Sequence, residues 1–124
     1  MHFDQREQRA LREAGLSTEA LQEISAAVAA ATAEEAEAIE AFFDDLDTVY
    51  SDMDLAHSTA EFPEHGLAFV DLYTHAADLR GYISFDGWGA YVEDGRVLSA
   101  DVVELTLGPT VHDRVRFAAS REHL

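Results

Sequence analysis

The chain is predicted to fold as an α+β protein in which N-terminal helices pack on an antiparallel β-sheet meander. Three observations lead there. Apolar residues recur at three- and four-residue steps up to about residue 46, the spacing that lines one side of a helix. From Thr48 onward the repeat drops to two, with β-branched and aromatic residues set between glycine or acidic turns. The links among those strands are too short for the crossovers that parallel pairing requires. A length of 124 residues suits a single domain, divided into a helical region 1–46, a sheet 47–118 and a tail 119–124.

The first helix is marked by Asp4 and Glu7 at capping-box spacing, by Ala10, Leu11 and Ala14 on one side, and by Gly15 as its stop. Ser17 caps a second, with Leu16 and Leu21 as a hydrophobic staple and Leu21, Ile24, Val28 and Ala31 repeating along one side. Thr32 and Glu35 are spaced to cap a third helix carrying Ile39, Phe42, Phe43 and Leu46. No Gly or Pro separates the two, so one long helix over 17–46 is the alternative to this division. Leu21, Ile24, Ile39, Phe43 and Leu46 are expected to pack on one sheet face.

Asp44, Asp45 and Asp47 sit where a helix C-terminus repels negative charge, which ends the helical region. A strand is expected over 48–57, a loop over 58–66 around Pro63 and Gly66, and a central strand from Leu67 to His75. Further strands are expected at Gly81 to Phe85, Trp88 to Glu93, Val102 to Leu107 and Val111 to Phe117. Asp94 and Gly95 read as a hairpin turn, with Arg96, Val97 and Leu98 returning on its far side. Gly108 and Pro109 form the last turn.

Charge is one-sided: 25 Asp and Glu face eight Arg and no Lys, for a formal net charge of −17. Such a surface repels itself in dilute buffer, where the Debye length is about 10 Å at 0.1 M salt, and is relieved at 1 M, where it is about 3 Å. Molar salt is the solvent this composition suits. With 48% hydrophobic residues the chain is expected to build a core, and disorder is excluded. Absence of Cys removes disulfides, thiolate ligands and Cys nucleophiles and fits a reducing cytoplasm. No apolar run reaches the 18 or so residues of a membrane span. Sixteen acids lie between Arg12 and Arg80 without a single basic residue among them, so nucleic-acid binding is disfavoured.

Two side-chain groupings carry chemistry. His57 and His65 flank the expected 58–66 loop, with Asp54, Glu61 and Glu64 close in sequence, and imidazole plus carboxylate suits a divalent first-row metal. The competing reading is that these are ordinary loop histidines. His112, Arg114 and Arg116 alternate on the last strand and present a positive stripe, either to an acidic partner or to cross-strand acids such as Glu104. No serine sits in a GxSxG elbow, and the glycines are spaced as bends rather than as a phosphate loop. Trp88 and Tyr91 stand between glycines, as in a small-ligand groove or simply as packed strand residues.

The segments DTVYSDMDLAHS, EFPEHG, VDLYTH, RGYISFDGWG and LTLGPTV resemble an uncharacterised family of small conserved hypothetical proteins from halophilic archaea, over nearly the whole chain. That resemblance implies a salt-rich habitat and a single-domain architecture, and no activity or ligand comes with it.

The expectation is therefore a non-enzymatic, halophilic protein–protein interaction module without a cofactor, cytoplasmic, and a homodimer. The alternative is a small-ligand or divalent-metal-binding protein using His57, His65 and Asp54. Screening of the acidic surface predicts that the melting temperature rises as KCl increases from about 0.1 M to above 1 M. A melting temperature that stays flat or falls across that series removes the salt argument.

Overall fold

The computed structural model of the chain describes residues 4–53, 62–108 and 113–124. Helix α1 (Gln5–Glu13) starts where the Asp4 carboxylate accepts the Glu7 amide at 2.8 Å. It stops at Gly15, whose φ of +98° suits glycine, and the Leu16 amide returns to the Leu11 carbonyl at 3.1 Å. No residue of α1 is buried.

Helix α2 (Thr18–Asp44) is one uninterrupted helix of 27 residues, begun by Ser17, whose hydroxyl accepts the Ala20 amide at 3.1 Å. The expected start at Thr32 does not cap anything. Its hydroxyl donates to the Val28 carbonyl at 2.8 Å, the bond a mid-helix threonine makes to the preceding turn. The last turn of α2 carries no basic residue, and the helix ends among its aspartates as the charge argument anticipated.

Six antiparallel strands follow: β1 (Thr48–Ser51), β2 (Glu64–His75), β3 (Asp78–Phe85), β4 (Trp88–Ser99), β5 (Val102–Gly108) and β6 (Asp113–Ala118). The expected meander is there, with one addition: it closes into a barrel. Short β1 makes the closure, setting Thr48, Val49 and Tyr50 against Gly66, His65 and Glu64 on one side, and Tyr50 and Ser51 against Ala118 and Phe117 on the other. The inward side chains, among them Val49, Ile83, Leu105, Val115 and Phe117, form a core that Ala36, Ile39 and Phe43 of α2 join.

Past Gly66 strand β2 no longer has β1 beside it, and α2 takes over part of that role. The Glu40 carboxylate accepts the Leu72 amide of β2 at 2.8 Å, and the Glu35 carboxylate accepts the Val97 amide of β4. Two helix carboxylates thus satisfy backbone donors of two strands, which fixes the position of α2 along the barrel.

Several expectations are corrected. Ile24 is 38% exposed and does not pack on the sheet, whereas Leu21 is fully buried yet outside the barrel core. Strand β1 ends at Ser51, not 57, and residues 54–57 lie outside the described residues. Glu64, His65 and Gly66 are strand rather than loop, because pairing with β1 outweighs the turn signal of Gly66. That glycine is needed for space: a Cβ there would stand 2.1 Å from Asp86 Oδ2. The β2–β3 turn at Ala76 was not foreseen, since alanine at φ +52° lacks the usual Asn or Gly signature.

Asp94 and Gly95 do not form a turn. Strand β4 runs through them to Ser99, with ladder irregularities between Val92 and Asp94 and between Val97 and Ser99. The reversal comes at Ala100 and Asp101, where Ser99 Oγ accepts the Asp101 amide at 3.2 Å. A Cβ on Gly95 would lie 2.8 Å from Leu105 Cδ2 and 3.0 Å from Ile39 Cδ1. The glycine thins β4 so that α2 can approach it.

Gly95→Leu is therefore expected to lower unfolding free energy by about 1–3 kcal/mol through overpacking, and Ile39→Ala by about 2–5 kcal/mol through the cavity it leaves. Urea unfolding checks both. A Gly95→Leu variant as stable as the parent protein would return Gly95 to an exposed turn.

Candidate functional site

Three regions are candidates for a functional site: the barrel seam around His65, the charged outer face of β4–β6, and the outer face of β2–β4. At the seam, His65 is buried on β2 and its Nε2 lies 2.8 Å from Ser51 Oγ, itself fully buried on β1. The same hydroxyl accepts the Met53 amide at 3.3 Å. A neutral ring satisfies the bond in either tautomer, because a hydroxyl both donates and accepts. Phe85 and Trp88 wall the imidazole, at centroid separations of 5.1 and 5.7 Å. Burial among these groups lowers the His65 pKa below 6.5.

This placement reshapes the metal expectation. His57 and Asp54 lie outside the described residues, and Nε2 of His65 is committed to a hydroxyl on the neighbouring strand. Among the described residues no group of three His, Cys, Asp or Glu side chains is arranged to hold a metal ion. Ser51 is fully buried, which keeps its hydroxyl from a substrate in solution.

Of the expected partner-binding stripe, His112 lies outside the described residues, while Arg114 and Arg116 both sit exposed on β6. Arg116 is held by Asp52, Nε to Oδ2 at 2.7 Å, and its backbone amide donates to Oδ1 of the same carboxylate at 2.7 Å. Directly across the ladder from Arg116 stands Glu104, and across from that Arg96, whose Nε reaches Glu104 Oε1 at 2.9 Å. Asp52, Arg116, Glu104 and Arg96 make one row of alternating charge over the outer face. A second row pairs Arg114 with Thr106 and Thr106 with Asp94. The stripe thus shares its face with acids on neighbouring strands, and each exposed cross-strand pair contributes about 0.2–1 kcal/mol.

The outer face of β2–β4 is of another kind. Phe69 is 53%, Tyr73 65% and Tyr91 60% exposed, and Tyr82 lies between Phe69 and Tyr91, its ring 6.2 and 5.6 Å from theirs. Gly89 makes room for this row, since a Cβ there would stand 2.2 Å from Tyr82 Oη. Trp88 packs in the His65 cluster instead, while Tyr91 stands in the exposed row. Sequence reading missed the aromatic row because alternation along β2 changes phase at Ala68, where the ladder shifts between Leu67 and Phe69. Apolar residues on both faces of β2 predict a central strand, yet one of those faces is solvent-exposed aromatic surface.

No helix among the described residues is long and apolar enough to cross a membrane. The chain belongs to the Family of unknown function (DUF7532), whose model matches residues 1–122. No curated protein and no solved structure matches it.

The seam yields a pH prediction. Because the folded-state pKa of His65 is below 6.5, the unfolded chain takes up the extra proton first as pH falls. The His65 contribution is thus fully present above 6.5 and is lost on acidification from there toward the folded pKa. His65→Gln should remove this part of the slope between about pH 7.5 and 5.5 in urea unfolding. Parallel slopes for parent and variant would refute it. Ser51→Ala, which leaves the buried imidazole nitrogen unpaired, is expected to lose about 1–3 kcal/mol at neutral pH.

Proposed function

We propose that the protein is a non-enzymatic interaction module of a salt-rich cytoplasm, and that it pairs with a second copy of itself through the outer face of β2–β4. The observation that carries this reading is the row of Phe69, Tyr82 and Tyr91 with Tyr73 beside it, exposed on an otherwise strongly acidic molecule. Large aromatics supply contact area at small conformational cost and dominate the energetics of interfaces. Exposed together they mark an interaction surface. A two-fold contact lets the same face serve both partners.

The acid excess supports the salt-rich setting. In molar salt the repulsion between two copies of charge −17 is screened, while burial of aromatic surface persists. Helix α2 supports a side-chain contact, because its Glu40 carboxylate occupies part of the β2 edge that β1 is too short to cover and through which a strand could otherwise add.

Sedimentation in molar KCl should show a dimer, and Phe69→Ser with Tyr91→Ser should weaken it at least tenfold with the fold retained by circular dichroism. A monomer at every salt concentration, up to about 100 μM protein, would sink the proposal, since that lies far above the micromolar affinity corresponding to about −8 kcal/mol.

A further inference from the structure

We infer that α1 is a cationic arm that docks on the acidic outer side of α2 in a second copy of the chain. Arg6, Arg9 and Arg12 recur every three residues, so their guanidinium groups follow one side of α1 at steps of about 4.5 Å. The helix buries none of its residues. Arg12 reaches Gln8 at 3.4 Å, and the ion pairs among the described residues use Arg80, Arg96, Arg116 and His123 but no arginine of α1. Three of the eight arginines of a molecule with 25 acids are thus displayed on its most exposed helix without an acidic partner among those pairs.

Helix stability explains only one of them. Arg12, in the last turn, complements the helix dipole, but Arg6 stands in the first turn, where positive charge opposes it.

The complementary surface is Glu34 and Glu37, exposed on α2 at the same three-residue spacing and outside the same ion pairs. Within one copy the arm does not reach them. α1 joins α2 at its start, Glu34 lies about 24 Å farther along that helix, and a nine-residue helix is only about 13.5 Å long. Between copies the contact is reciprocal, each arm on the other copy's helix, and it offsets part of the repulsion of two acidic molecules. It is independent of the aromatic face and responds oppositely to salt, because exposed ion pairs weaken as the Debye length shortens.

The test uses two full-length variants, Arg6→Glu/Arg9→Glu/Arg12→Glu and Glu34→Arg/Glu37→Arg, followed by sedimentation at about 0.15 M and 2 M KCl with helix content monitored. At the lower salt each variant alone should dimerise about tenfold or more weakly than the parent protein. An equimolar mixture should recover the parent affinity within a few-fold as a heterodimer, and the differences should shrink at 2 M KCl. If the arm reversed to glutamate loses helix content, the triple Arg→Gln variant takes its place in the comparison. An arm variant that keeps its helices and dimerises like the parent protein overturns the inference, as does a mixture no tighter than its components. Loss of dimer only in the Phe69 and Tyr91 variants leaves the aromatic contact standing without the arm. Loss only in the charge-reversed variants does the opposite, and a monomer under all conditions overturns both.

Discussion

The structure depends on β1, four residues that hydrogen-bond to strands at both ends of the meander. Tyr50 faces Glu64 on one side and Ala118 on the other, so one short segment joins the first hairpin to the last strand. Without it the sheet would be open along β2 and β6 and the core under Val49 and Phe117 would meet water. The Ser51–His65 bond crosses this seam in a buried position, and Asp52, one residue further, fastens the seam to β6 through Arg116. Closure also determines where α2 lies, because the helix takes up the length of β2 that β1 is too short to cover.

Local signals in the sequence placed the helices well. Asp4, Ser17 and Gly15 act as the caps and stop their residue types suggest, since capping depends only on neighbours three or four positions away. Strands were legible as an antiparallel series but not in their ends, and the turn expected at Asp94 and Gly95 divides what is one continuous strand, β4. Closure depends on Ser51 meeting Phe117, and no local pattern encodes a contact between residues so far apart. Asp94 and Gly95 misled because a glycine required for close helix approach and a glycine required for a turn look identical in sequence.

Legibility of the candidate surfaces follows the same division. Arg114 and Arg116 were correctly expected to project from one face of the last strand, because period-two alternation is unbroken there. The aromatic row was hidden by the bulge at Ala68, which reverses inside and outside along the rest of β2. Sequence order puts His65 beside His57 at a loop, whereas its environment is set by Ser51, Phe85 and Trp88. Burial of an imidazole cannot be read from its sequence neighbours when the walls come from other strands.

Four of the acids that make this chain so negative are not surface charges in function. Glu35 and Glu40 hold amides of β4 and β2, and Glu104 and Asp52 tie strands together through arginines. Replacing acids wholesale, as one would to adapt the protein to dilute buffer, would therefore remove fasteners along with repulsion. A redesign that neutralises Glu19, Glu23 and Asp44, exposed and outside these bonds, while sparing those four, would separate the part of the acidity that answers the solvent from the part that assembles the barrel.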